Sequence, residues 1–339
     1  MKFGPVASRV AATVSGDYPL AGTYHEERFA AQAPELVARA STLVEAETGL
    51  RGVGEPEVAV IGRLEWVENN VRSFGRLLEP LTEKMEDGLG KSIARPIVGI
   101  EMGAVLGLLS RRVLGQYELV LPSDDGEFGD TVLFVGANIL AMERQFEFRP
   151  DEFRFWVALH ECTHRLQFVG VPWLRSYFLD LVRQLVANSR PEQGRLRHLG
   201  NSIKTAAAEG KPLIDETGLF GLFATGEQRQ VLDQVQALMS LLEGHGHVVM
   251  DRIGERELAG QARMSALLKQ RRNDPRTAAL FRILGLEMKM RQYDDGAKFI
   301  EGVERHAGWE SLDAAWVSAE HLPTLEEIAN PVLWLDRVA

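Results

Sequence analysis

The chain has 339 residues, 45% hydrophobic and 25% charged, which is ordinary globular usage and excludes a disordered or fibrous protein. Its 38 Lys and Arg stand against 48 Asp and Glu, a net charge of −10. With no basic run to meet a phosphate backbone, nucleic acid is excluded as the expected partner.

The opening MKFGPVASRVAATVSG has no apolar core of signal-peptide length, and a cytoplasmic protein is expected. Glu26–Glu47 spaces Phe29, Leu36, Val37, Leu43 and Val44 at helical intervals. Val58–Met85 does the same with Ile61, Leu64, Val67, Val71, Phe74 and Leu78, with Pro80 expected to kink or interrupt the pattern. Pro96–Leu114 is the most membrane-like stretch. Glu101, Arg111 and Arg112 leave its apolar run short of the ~20 residues a span needs, so a buried helix and no membrane partner are expected. Tyr117–Leu121 and Thr131–Val135 are β-rich runs flanking a turn-forming stretch, and predict paired strands.

Beyond them, Arg149-Pro-Asp-Glu152 opens a helix, with Asp151 as its cap, that runs to Phe168; Gly170 ends it and Pro172 begins the next. Residues 190–226 are glycine-rich and read as loop. Helix is predicted again over Glu227–Met250, Arg276–Lys289 and Asp294–His306. No repeat or convincing linker divides the chain. The expectation is a mainly α protein with a small β-sheet (α+β), a single unit over residues 1–339.

The chemistry lies in His160-Glu-Cys-Thr-His164. Positions i and i+4 share a helix face, so both imidazoles can point at one ion, with Glu161 beside the first to reach a bound water. One zinc ion suits two neutral imidazoles, one further protein ligand and an open position for water. Zinc lowers that water's pKa to about 7, and a carboxylate can take its proton during attack on a carbonyl. Cys162 points off the ligand face and reads as a buried apolar group; as a single cysteine it excludes an intrachain disulfide framework.

The third ligand is not fixed by local spacing. The metzincin extension would need Gly at 167 and His at 170, where this chain has Gln167 and Gly170. Downstream, Met239–Asp251 supplies candidates. Glu243 follows an apolar helical run, and a carboxylate beside Leu241 and Leu242 needs a partner that zinc would provide. His245, His247 and Asp251 compete with it; His247, four residues after Glu243, could instead serve the transition state.

The blocks ALHECTHRLQFVGVPWL (158–174), LMSLLEGHGHVVMD (238–251) and KMRQYDDGAKF (289–299) resemble the zincin-like metallopeptidases of actinobacteria and Chloroflexi. Those proteins are often described as associated with deazaflavin coenzyme biosynthesis. The similarity extends to LVLP…LFVGANI and to the tail HLPTLEEIANPVLWLDRV (321–338), and so covers most of the chain. It implies a zincin-like core with additional helices: a helical part over 1–115, the strands, zinc helix and third-ligand helix over 116–255, and a helical part over 256–339. It also implies a zinc hydrolase with His160, His164 and Glu243 as ligands.

The mechanism expected is hydrolysis of a peptide or amide substrate with Glu161 as general base. The oxyanion donor is Tyr293, His247 or His245. Gln167 lies on the side of His164 and could bond its free ring nitrogen. Asn138 reads as a turn residue, and the strand Thr131–Val135 is expected to offer its backbone to an extended peptide. Trp156, Trp173 and Trp309 read as packing residues, and Lys289 and Arg291 as solvated charges. The rival readings are a non-catalytic helical binding protein stabilised by zinc, and a zinc amidohydrolase acting on a small molecule. Oligomeric state leaves no signal in the sequence.

Overall fold

A computed structural model describes residues 4–16, 18–84, 91–118, 129–187, 226–272 and 287–338. The chain divides into two compact units, Met1–Arg175 with Val249–Met264, and Ser176–Val248 with Ser265–Ala339. Most of the described chain is helix, with one small sheet. The sequence expectations for residues 190–225, for helix over 276–286, and for the turn at 122–128 lie outside the described residues.

The first unit is built on a three-stranded sheet of β1 (Glu57–Ile61), β2 (Gly115–Glu118) and β3 (Thr131–Val135) in the order β1-β3-β2. β3 pairs parallel to β1, with Glu57 opposite Thr131 and Ile61 opposite Val135. It pairs antiparallel to β2, with Gly115 opposite Phe134 and Glu118 opposite Thr131. The predicted pairing of the two β-rich runs is therefore present; β2 begins at Gly115, two residues before the expected start, and residues 119–121 lie outside the described residues. β1 is a correction: its residues were read as the start of a helix, yet the helix α3 (Arg63–Lys84) begins only after Gly62.

β3 is apolar and buried from Val132 to Val135 because both of its faces are covered. Leu133 and Val135 point into a cluster with Ile61, with Trp66, Val67 and Val71 of α3, and with Ala7, Ala11 and Leu106. The alternate residue Phe134 meets the ring of Phe29, on α2 (Tyr24–Thr48), edge to face at 5.4 Å. Each large side chain buried in this way contributes about 2 kcal/mol. The membrane-like stretch is the helix α4 (Lys91–Leu109), which lies against α1 (Gly4–Ser15). A β-carbon at Gly103 or Gly107 would run into Ala7 or Ala11, so small residues set the spacing of that pair. No helix among the described residues is long and apolar enough to cross a membrane.

α5 (Gly136–Phe146) follows β3 directly, and Asn138, expected in a turn, lies in its first turn. The Asn138 amide donates to the carbonyls of Ser110 and Val113 and accepts from Arg63 Nε, closing the C-terminal end of α4. α6 (Pro150–Gly170) carries the HECTH motif. Its cap position is Arg149, with Pro150 at the first turn where its missing N–H costs nothing; Asp151 lies inside the helix, not at the cap. α6 is buried on nearly every side and is held by polar bridges. Arg154 makes a paired contact to Glu143, and Arg165 grips Asp130 with two nitrogens while donating to Gly54 O.

α7 (Leu174–Ala187), α8 (Gly226–Glu257), α9 (Gln261–Arg272) and α10 (Glu287–Ala307) follow. α8 is one continuous helix, longer than the predicted Glu227–Met250. Its last turns belong to the first unit, where Arg252 and Arg256 both bind Glu47, and Arg39 binds Glu257.

In the second unit, α8 and α10 cross at two glycines. A β-carbon on Gly244 would collide with the backbone of Gly296, and one on Gly296 with Ser240 O. The chain closes through two 3₁₀ turns (Trp309–Trp316 and Ala319–His321), α11 (Leu325–Ala329) and α12 (Pro331–Val338). Thr324 and Glu327 form a reciprocal capping box at the start of α11. Arg337 binds both oxygens of Glu327, and fully buried Trp334 donates to His321 O at 2.7 Å.

Candidate metal centre

On α6 the imidazoles of His160 and His164 are half-buried and converge, with their Nε2 atoms 3.1 Å apart and their rings nearly perpendicular at 82°. Two ligands each about 2.0–2.1 Å from a tetrahedral ion would be separated by about 3.3 Å, so the spacing fits zinc. His164 turns its other nitrogen inward, where Nδ1 lies 2.9 Å from Oε1 of Gln167, a side chain with no solvent exposure.

Glu243, a buried carboxylate on α8 immediately before Gly244, completes a group that could hold a metal ion. One ligand atom from each of His160, His164 and Glu243 lies within 4.8 Å of the others. Two imidazoles and one carboxylate are a donor set suited to zinc with a position left for solvent or substrate. The competitors take other places. His245 stacks on Trp309 at 5.9 Å and meets Trp316 edge-on at 5.2 Å, which makes it part of an aromatic cluster. Asp251 accepts from Gln261 Nε2 at 2.8 Å. His247 is buried one turn after Glu243 on the same helix.

Glu161 is also buried, only 5% exposed, and its carboxyl group lies flat against the backbone of β2 at Gly115. A β-carbon there would stand 2.7 Å from Oε1 and 2.8 Å from Cγ of Glu161. Sequence reasoning missed Gly115, because nothing local demands a glycine at the start of this strand. The same region corrects the strand expected to receive substrate. β3 is paired on both edges, by β1 and β2, so its backbone groups are already used; the strand beside Glu161 is β2.

Tyr293 lies on α10 one turn before Gly296, and its side chain, like those of Lys289 and Arg291, lies outside the described residues. Cys162 is fully buried between Ser41 and Val37 O, and burial pushes its thiol up to about 12, so it is no nucleophile. Arg165, adjacent to His164, ties α6 to Asp130 at the entry to β3; its role was not visible in sequence, because its partner is remote in the chain. Trp156 packs on Phe153, in keeping with a packing residue.

A family model described as zincin-like metallopeptidase matches residues 5–335. A crystal structure titled "a putative hydrolase with a novel fold", from Chloroflexus aurantiacus, is 30% identical and superposes with a TM-score of 0.74. The similarity covers 98% of this chain and 97% of that one. A comparison with curated proteins finds no match. With two imidazoles converging on the motif helix and the family match running almost end to end, the chain belongs to the zincin-like metallopeptidase family.

Proposed function

We propose that the protein is a zinc-dependent hydrolase of peptide or amide bonds, with His160, His164 and Glu243 as the metal ligands and Glu161 as the general base. The observation that carries the reading is the gathering of those three donor atoms, with the adjacent Glu161 carboxyl held against β2. Zinc at this position supplies Lewis acidity toward a carbonyl oxygen and acidifies water to a pKa of about 7.

Glu161 takes a proton from the attacking water as the new C–O bond forms at the carbonyl carbon. It returns that proton to the leaving nitrogen as the C–N bond breaks. His247 or Tyr293 donates a hydrogen bond to the oxygen on which charge develops. An extended peptide would pair with β2, an edge strand of the sheet, whose face at Gly115 carries Glu161.

Glu161→Gln in the zinc-loaded protein tests the assignment against a quenched-fluorescence peptide library and a panel of small amides. The expected result is one zinc per chain retained, with turnover by the parent protein lost in the variant. Turnover undiminished in Glu161→Gln removes Glu161 as the base.

A further inference from the structure

The contact between His164 and Gln167 has a consequence for the metal centre. An amide oxygen can only accept, so Oε1 of Gln167 at 2.9 Å from Nδ1 requires that nitrogen to carry the ring proton. His164 is then the Nδ1–H tautomer, and its Nε2 presents a lone pair toward Nε2 of His160, 3.1 Å away. With the proton on Nε2 instead, His164 would aim a hydrogen at the place where the three donors meet, and could not be a ligand there.

We propose that Gln167 is a positioning residue that locks His164 in its Nδ1–H tautomer through a neutral amide acceptor, and that zinc affinity depends on it. The proposal rests on the ligand set given above. Histidine ligands are commonly oriented by a carboxylate, which adds a negative charge close to the metal. Here the orienting group is uncharged and fully buried. A carboxylate in that position would bear a large desolvation cost, whereas an amide bears little once it is hydrogen-bonded. A neutral partner also leaves the positive charge of the loaded site undiminished, which favours acidification of water over the tightest metal grip. Gln167 lies one turn beyond His164 on the same helix, so α6 carries both the ligand and the group that orients it.

The test reads the ring proton directly. Long-range 1H–15N spectra are recorded on the full chain with 15N-labelled imidazoles after chelation of metal, and His164 is assigned among the 8 histidines by its Asn variant. The expected wild-type spectrum shows His164 protonated at Nδ1 and unprotonated at Nε2; the reverse pattern overturns the proposal with no variant needed. Gln167→Leu is expected to give a tautomer mixture and to weaken zinc binding, measured by chelator competition, roughly 10–100-fold. Gln167→Glu is expected to restore the Nδ1–H form and bind zinc at least as tightly as the parent. A Gln167→Leu protein that keeps both the single tautomer and the parent affinity overturns the proposal. Failure of the ligand assignment itself reads differently, since His160→Ala would then leave the parent's zinc affinity unchanged.

Discussion

Gly115 and Glu161 are complementary: the strand has no side chain at a position where any atom beyond Cα would meet the carboxyl group of the proposed base. The carboxyl Oε1 and Cδ would stand 2.7 and 2.9 Å from a β-carbon, so an alanine must push Glu161 out of place. Gly115→Ala is therefore expected to lower kcat by roughly 10²-fold, the lower end of what a general base contributes, with zinc content unchanged. Steady-state kinetics with metal analysis on the same preparation checks this. Equal kcat in the two proteins would mean that Glu161 is free to shift without cost.

The crossing of α8 and α10 makes a prediction about sign. Glycine inside a solvent-exposed helix is replaced by alanine with a gain of up to about 1 kcal/mol. At Gly296 the added carbon meets Ser240 O and the Cα of Gly244, which are backbone and cannot swing away. Gly296→Ala is expected to destabilise by roughly 1–3 kcal/mol, read as a lower midpoint in urea. Stabilisation would contradict the close approach.

The C-terminal bridge predicts a pH dependence. Burial raises the Glu327 carboxyl, but the hydrogen bonds from Arg337 and from Thr324 outweigh it, and its pKa is lowered from 4.5. A carboxyl lowered in the folded state contributes stability above its unfolded value, and that contribution is lost as pH falls through the folded value. Glu327→Gln should therefore cost roughly 2 kcal/mol at pH 7, and its deficit relative to the parent should shrink as pH drops below about 4.5. Urea titrations of both proteins across that window measure it; a constant deficit contradicts the ion pair.

Cys162 offers a simple check of packing in α6. With no exposure and a thiol pushed up to about 12, it should resist iodoacetamide at pH 8 in the folded protein and react fully in guanidinium. Rapid native labelling would mean that the helix carrying the motif opens to solvent.

The helices were legible where apolar spacing runs long, as in α2, α6 and α8, and the motif spacing alone put both imidazoles on one face. β1 was not legible. Its five residues are joined to α3 through Gly62 alone, and Ile61 fits the helical series of Leu64, Val67 and Val71. The centre of the sheet was misjudged because chain order does not say which strand is an edge; the parallel pairing of β1 with β3 decides it. Asn138 looked like a turn residue because its partners, Ser110 O and Val113 O, belong to a distant helix end. Gly115, Gly244 and Gly296 hid for the same reason: each answers to an atom remote in sequence.

The measurement that bears most directly on the metal centre is zinc content by elemental analysis after dialysis, on the parent, His160→Ala, Glu243→Ala and Glu161→Gln. The account predicts one zinc per chain in the parent and in Glu161→Gln, and loss of that zinc in the other two. A parent that takes up no zinc, or a Glu243→Ala protein that holds it as firmly as the parent, would contradict it.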